Sequence, residues 1–241
     1  MIKDRIRIGQ AAKMLGVTVQ TLRNWEKSGK LMSERSSGGQ RYYQREDVRR
    51  FAIDVQKLAW AWATSAQPPE LPEEYYCERQ DRFTSRLEKM GLLLASTDTV
   101  DERLASLLTA IAGEIGDNSF MHNTGNWQDV PGVFFAYDTA KRVIVLADRG
   151  QGIRKTLSRV RPTIETDVEA LKVAFTEIVS GRAPEKRGNG LKVVRRIVES
   201  DPIGLYFRSG LALAKTPRQA APVKISMESE NIRGAYAVIT F

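Results

Sequence analysis

The chain holds one cysteine, Cys77, in 241 residues. That excludes an internal disulfide framework and any metal site built from several thiolates. Long apolar runs are missing too. Nothing approaches the ~20 consecutive apolar residues that span a bilayer, so no membrane partner is expected. The opening stretch, Met1-Ile2-Lys3-Asp4-Arg5, has no apolar signal region. Internal repeats and low-complexity segments are absent. These absences fit a soluble chain of a reducing cytoplasm. Hydrophobic residues make up 42% of the sequence, enough for a core in each of two domains.

Acidic charge is scarce at one end only. Residues 1–58 hold 13 Lys+Arg against 6 Asp+Glu, and the remainder holds 24 against 23. Nearly all of the net +8 therefore sits in the first quarter of the chain. A basic surface of that kind is the footprint of phosphate-backbone contact.

Within residues 8–16, Ile8, Ala11, Ala12 and Leu15 fall at helical spacing, and Gly16 breaks the run. Thr18 can cap a second helix over about 19–28, with Leu22 and Trp25 turned inward and Gly29 ending it. Two short helices joined by a glycine turn form a helix-turn-helix. Ser36-Ser37-Gly38-Gly39 then predicts a turn between short extended pieces, a two-stranded wing. A third helix is expected from Glu46 through Val48, Phe51, Val55 and Leu58 to about Ala63. Residues 64–74 carry three prolines and read as an elbow. The expected division is residues 1–64 as a DNA-binding domain, 65–95 as elbow plus connecting helix, and 96–241 as a second domain. Phe83, Leu87, Met90 and Leu94 form a stripe that could dock on that second domain or pair two subunits, with docking the favoured reading. Beyond residue 100, helices over 104–122, 168–180 and 191–199 mix with strands over 132–137, 142–147, 203–213, 223–229 and 236–241. The fold class is α+β: a winged helix-turn-helix followed by an α/β sandwich with helices on one face of a mostly antiparallel sheet.

The second helix offers Thr18, Gln20, Thr21, Arg23, Asn24 and Lys27 on its outer side. Arginine can bond guanine with two hydrogen bonds, and Asn or Gln can do the same to adenine. Lys27, Lys30, Arg35 and Arg41 would neutralise phosphates and fix register. Tyr42 or Tyr43 could donate to a phosphate, with the other packing the wing; Trp25 reads as core. The run from I-G-Q-A-A-K-M-L-G through R-N-W-E-K to G-G-Q-R-Y-Y resembles the MerR-type winged helix-turn-helix over residues 6–52. The resemblance implies double-stranded DNA as partner and pairing into a homodimer. In that family pairing uses a long helix after the wing, which here meets the proline elbow.

Three later segments point to a nucleotide. In E-I-G-D-N-S-F-M-H, residues 114–122, Glu114 and Asn118 share one helix face. Asn118 can offer an amide oxygen to Mg²⁺, and Glu114 can serve as a general base. In V-I-V-L-A-D-R-G-Q-G-I, a strand delivers Asp148 to its end, where a buried carboxylate can accept from the adenine amine. Gly150 and Gly152 let the backbone turn beside a ligand. In R-G-N-G-L-K-V-V, Gly188 and Gly190 open a helix whose N–H groups face an anion beside Leu191, with Lys186, Arg187 and Lys192 adding positive charge. Together and in this order, over about 95–241, the segments resemble the Bergerat ATP-binding fold of the GHKL superfamily, which includes gyrase and the histidine kinases. That resemblance implies ATP or ADP with Mg²⁺, Asn118 as metal ligand, Asp148 as adenine reader, and residues 153–187 as a lid. The only histidine, His122, lies inside the first motif, which excludes an upstream phosphoacceptor histidine. The expected function is a transcription regulator coupled to ATP or ADP binding. The alternatives are a serine/threonine kinase of the anti-sigma type acting on a separate protein, or a slow ATPase targeted to DNA.

Overall fold

In the computed structural model, which describes residues 4–27, 29, 31–177 and 190–241, the chain divides at Asp54 into units Met1–Asp54 and Val55–Phe241.

The first unit runs β1 (Arg5–Arg7), α1 (Ile8–Leu15), α2 (Val19–Lys27), β2 (Glu34–Arg35), β3 (Arg41–Gln44) and α3 (Arg45–Ala52). Gly16 ends α1 in the left-handed region at φ 63°, with its N–H bonding back to Ala12 and Lys13 carbonyls. Thr18 Oγ1 then accepts from the Thr21 N–H at 3.1 Å, satisfying a donor of α2's first turn. The strands pair antiparallel in the order β1-β3-β2, so the wing has a third strand. Ile6, Ala11, Ala12, Leu22, Leu31, Tyr43 and Val48 are buried together, with Trp25 and Phe51 packed against them.

In the second unit, α4 (Val55–Thr64) precedes a 3-10 turn (Glu73–Tyr75), β4 (Tyr76–Cys77), α5 (Gln80–Ala95), α6 (Glu102–Asn123), β5 (Val133–Asp138) and β6 (Val143–Asp148). There follow α7 (Gly152–Ser158), α8 (Asp167–Thr176), α9 (Gly190–Ser200), β7 (Gly204–Thr216) and β8 (Lys224–Thr240). The sheet order is β4-β5-β6-β8-β7, every pair antiparallel. Alternation sends Val133, Phe135, Ile144, Leu146, Phe207, Ala237 and Ile239 to one face, where α5, α6, α8 and α9 supply Phe83, Met90, Leu108, Ile111, Leu171 and Val194. The stripe on α5 docks as its spacing predicts: Phe83, Met90 and Leu94 are fully buried.

Two expectations need correction. The helix read as continuous from 46 to 63 breaks at Ile53, whose backbone is extended at φ −70°, ψ 120°. The first unit therefore ends at Asp54 and not at the proline elbow. The reason is that the two halves bury into different cores. Val48 and Phe51 face the first unit. Val55, Ala59, Trp62 and Ala63 are buried in the second unit, where Trp60 meets Tyr236 edge-on at 5.1 Å and Trp62 lies 6.5 Å from Phe134. Among the described residues, helices thus cover both faces of the sheet, with α4 on the outer one. The other correction concerns residues 223–229 and 236–241, which belong to one long strand, β8, with a register shift opposite Gly210.

Helices α5 and α6 approach closely because α6 presents glycines to α5. A Cβ on Gly113 would lie 3.2 Å from Leu87 Cδ2, and one on Gly116 would lie 2.1 Å from Phe83 Cζ. Alanine gains up to about 1 kcal/mol over glycine in a helix interior. Overpacking against a buried ring costs about 1–3 kcal/mol, so at 116 the overlap wins. Gly116→Ala should lower the urea midpoint, while Gly113→Ala, facing a rotatable leucine methyl, should leave it unchanged or raise it. Equal effects would show that α5 is free to back away.

Candidate functional site

Strand β6 ends on Asp148, whose carboxylate is turned to the helix side and is 3% exposed. Oδ2 accepts from Ser119 Oγ at 2.7 Å. Oδ1 accepts from the Gly150 N–H at 2.8 Å and from Asn123 Nδ2 at 3.4 Å. Burial pushes the Asp148 carboxyl above the ordinary aspartate range, and the Ser119, Gly150 and Ala235 donors oppose that rise. A small pocket opens beside it, walled by Ile115, Asn118, Ile153, Leu191, Phe207 and Ala235 among others.

The walls owe their closeness to missing side chains. A Cβ on Gly150 would meet the Asn123 amide at 2.1 Å, and Asn123 Oδ1 accepts from the Gln151 N–H at 2.9 Å. Gly152 turns at φ 76°, where the Ile153 N–H donates to Ser209 Oγ at 3.0 Å. On β8, Gly234 sits at φ 58° with its Cβ position 2.3 Å from both Asp148 O and Oδ1. No larger residue fits that place while the carboxylate holds its own.

Helix α6 brings Glu114 and Asn118 to one side, as their spacing predicts. The first residue of α9, Gly190, closes over them: its Cβ position lies 2.5 Å from Glu114 Oε2 and 3.0 Å from Asn118 Nδ2. Burial, and then the Asp117 charge, raise the Glu114 carboxyl above the usual range. Burial lowers the Lys192 ammonium. Asn118, Asp148, Gly152 and Leu191 line the pocket. Gly150 joins them through its N–H. Lys186, Arg187 and Gly188 lie outside the described residues.

On the first unit, Thr18, Gln20, Arg23, Asn24 and Lys27 are exposed along α2, and Thr21 is half-buried. Gln20 Nε2 donates to Asn24 Oδ1 at 3.1 Å, ordering the amide pair on that face. Lys30 lies outside the described residues. Arg41 and Arg35 both pair with Glu26: Arg41 Nε meets Oε2 at 2.5 Å, and Arg35 reaches the other oxygen at 3.8 Å. Ser33 donates to Glu26 as well, and these contacts hold its carboxyl below the usual range. The two tyrosines differ in setting. Tyr43 is buried in the core, while Tyr42 keeps an accessible hydroxyl that donates to Gln40 at 3.1 Å.

The family described as "MerR family regulatory protein" matches residues 7–43. Those residues are a MerR-family helix-turn-helix. The nodulation protein NolA of Bradyrhizobium elkanii is 53% identical over 49 residues, which is 20% of this chain and 22% of that protein. NolA of Bradyrhizobium sp. (strain NC92) is 51% identical over 49 residues, 20% of this chain and 21% of that protein. The Type II methyltransferase M.Eco47II of Escherichia coli is 36% identical over 52 residues, 21% of this chain and 12% of that protein. The chain thus spans about a fifth or less of the length of these relatives.

In the first unit, sequence shows Glu26 only as part of the R-N-W-E pattern; in the structure it ties α2 to the wing. In the second unit the residues missed were Ser119, Asn123, Ser209 and Gly234. The first two had a signal, since they follow Asn118 on the same helix at steps of one and five. Ser209 and Gly234 had none, because only the pairing of β8 with β6 and β7 brings them to Asp148.

A raised aspartate favours the folded state most fully below the unfolded carboxyl value, ~3.9, and that contribution is lost as pH rises through the folded value. Asparagine has no such titration. Asp148→Asn should therefore gain stability relative to the parent chain between acid and neutral pH in nucleotide-free urea melts. A gap that stays constant across that window would mean the carboxylate is solvated.

Proposed function

We propose that this chain is a DNA-binding transcription regulator whose C-terminal unit binds ATP or ADP. The DNA half rests on the MerR-family helix-turn-helix and on the exposed polar face of α2. The observation that carries the nucleotide half is the buried Asp148 carboxylate lining an apolar-walled pocket. An ionised carboxylate has about four acceptor positions, so it can take the adenine amine beside its present donors. The pocket's apolar walls, Ile115, Ile153, Leu191, Phe207 and Ala235, suit a flat base. The order of motifs, resembling the GHKL superfamily, supports the same ligand by analogy.

Asn118 is the residue that would hold Mg²⁺ through its amide oxygen. Among the described residues no group of three or more His, Cys, Asp or Glu could hold a metal. A magnesium ion would therefore need phosphate oxygens for much of its shell, as Mg²⁺ commonly does with nucleotides. The ion would offset phosphate charge. Among the described residues no helix is long and apolar enough to cross a membrane. Pairing of two copies on DNA belongs to this reading and is checked by light scattering.

Glu114 favours a second reading. A half-buried carboxyl with a raised value beside Asn118 suits a general base for phosphoryl transfer to a separate protein, or for slow ATP hydrolysis. Transfer of label from γ-labelled ATP to co-expressed proteins separates it from the first.

The deciding experiment is fluorescence anisotropy on DNA from the chain's own promoter, with no nucleotide, with Mg-ADP and with a non-hydrolysable Mg-ATP analogue at fixed salt. Affinity that depends on nucleotide supports a gated regulator; indifference removes the coupling. Asp148→Asn should lose calorimetric binding of ADP while keeping its circular dichroism, and undiminished affinity would refute the adenine role. Arg23→Ala should narrow the gap between cognate and altered sites by about 1–3 kcal/mol if it reads a base. A loss equal on all sequences would assign Arg23 to the phosphates.

A further inference from the structure

Strand alternation places pocket and α4 on opposite sides of the same short segments. Asp148 faces the helix side, so Arg149, the next residue, emerges on the outer face. Its side chain is completely buried there. Nε donates to Asp129 Oδ1 at 3.0 Å and Oδ2 at 3.1 Å, and Nη2 also bonds Asp129. Nη1 donates to the Trp62 carbonyl, and the guanidinium carbon lies 5.9 Å from the Trp62 ring. Trp62 is in the last turn of α4, whose carbonyls have no partner within the helix. Arg149 thus caps α4 with a cation, at the end where the helix dipole favours one.

The same arrangement occurs on β7. Ser209 holds the glycine loop through the Ile153 N–H and the Gly234 carbonyl. Its neighbour Arg208 is 3% exposed, with its guanidinium carbon 5.5 Å from the Trp60 ring of α4. At both places a residue that shapes the site is followed or preceded by a buried arginine set against an α4 tryptophan. Helix α4 starts at Val55, directly after the last residue of the helix-turn-helix unit.

We propose that Arg149 links occupancy of the nucleotide pocket to the seating of α4, and that α4 carries that change along the chain to the helix-turn-helix unit. The inference rests on the nucleotide reading above. A ligand that pulls on Asp148 and the Gly150 N–H moves the backbone from which Arg149 springs. Seated and unseated forms of the last turn of α4 then bind the nucleotide unequally, which is all that coupling requires. Arg149 is a positioning residue; it does not line the pocket.

The test uses the full chain with its four tryptophans labelled as 5-fluorotryptophan and assigned by Trp→Phe replacement. Mg-ADP binding is followed by calorimetry, α4 by the ¹⁹F resonances of Trp60 and Trp62, and coupling by DNA affinity with and without Mg-ADP. In the parent chain Mg-ADP should shift the Trp62 resonance and change DNA affinity by about fivefold or more, a coupling of ordinary size. In Arg149→Lys calorimetric binding should persist while the Trp62 shift and the DNA response collapse. Asp129→Asn, which removes half the charge pair but keeps Arg149, should show the same in weaker form and decides the matter if Arg149→Lys does not fold. No heat of binding in the parent chain would overturn the nucleotide reading and this inference with it. Binding that leaves Trp62 unmoved would overturn this inference alone, as would a Trp62 shift and DNA response undiminished in the variants.

Discussion

The second unit is organised around the burial of one carboxylate. Taking an aspartate out of water is unfavourable unless donors meet it. Ser119 and Asn123 come from α6, the Gly150 N–H from the turn after β6, and Gly234 leaves the space beside it on β8. Move any of these and the acid loses a partner or meets a clash. The positive φ of Gly234 and the close approach of Gly150 to Asn123 follow from that requirement, as does the contact between α6 and β6. The pocket is what remains beside the acid once its donors have been supplied from one side.

A second buried charge works on the opposite face. Arg149 is fully desolvated, yet its donors are taken up by Asp129 and a helix-end carbonyl. Breaking such a pair by removing one partner typically costs about 3–5 kcal/mol, because the other charge stays buried. Asp129 also receives Arg233 at 2.8 Å, and the nearby cations hold its carboxyl below the usual range. The short segment D-R-G-Q-G therefore spends its acid on one face of the sheet and its base on the other. This double use falls on two adjacent residues, as strand alternation provides.

Much of this was legible in sequence, and the limits have physical causes. The glycine turn at Gly16, the wing at Ser36–Gly39, the α5 stripe and the delivery of Asp148 to a strand end are local patterns, and local patterns survive folding. The break at Ile53 was not legible, because Val48, Phe51, Val55 and Leu58 keep helical spacing across it. Only the existence of two separate cores reveals why the chain lets go there. The outer layer of the sheet was missed for the same reason: α4 was attributed to the wrong neighbour. Arg149 passed as the variable residue of a glycine motif, since nothing in its sequence setting announces a fully buried cation. The pairing of Glu26 with Arg41 was not legible either, because it spans fifteen residues between helix and wing.

The join at Asp54 also defines what can be exchanged. The relatives share about fifty residues with this chain, close to the length of the first unit. A helix-turn-helix that ends at Asp54 is a cassette whose exchange leaves α4 with the second unit. A cut at the proline elbow would instead carry Trp60 and Trp62 away with the cassette, stripping Phe134 and Tyr236 of their lid. The remaining fragment would present a bare aromatic sheet face to water, a sticky surface suited to aggregation. The residues that look like the tail of one module are the roof of the next, and recombination would have to respect that boundary.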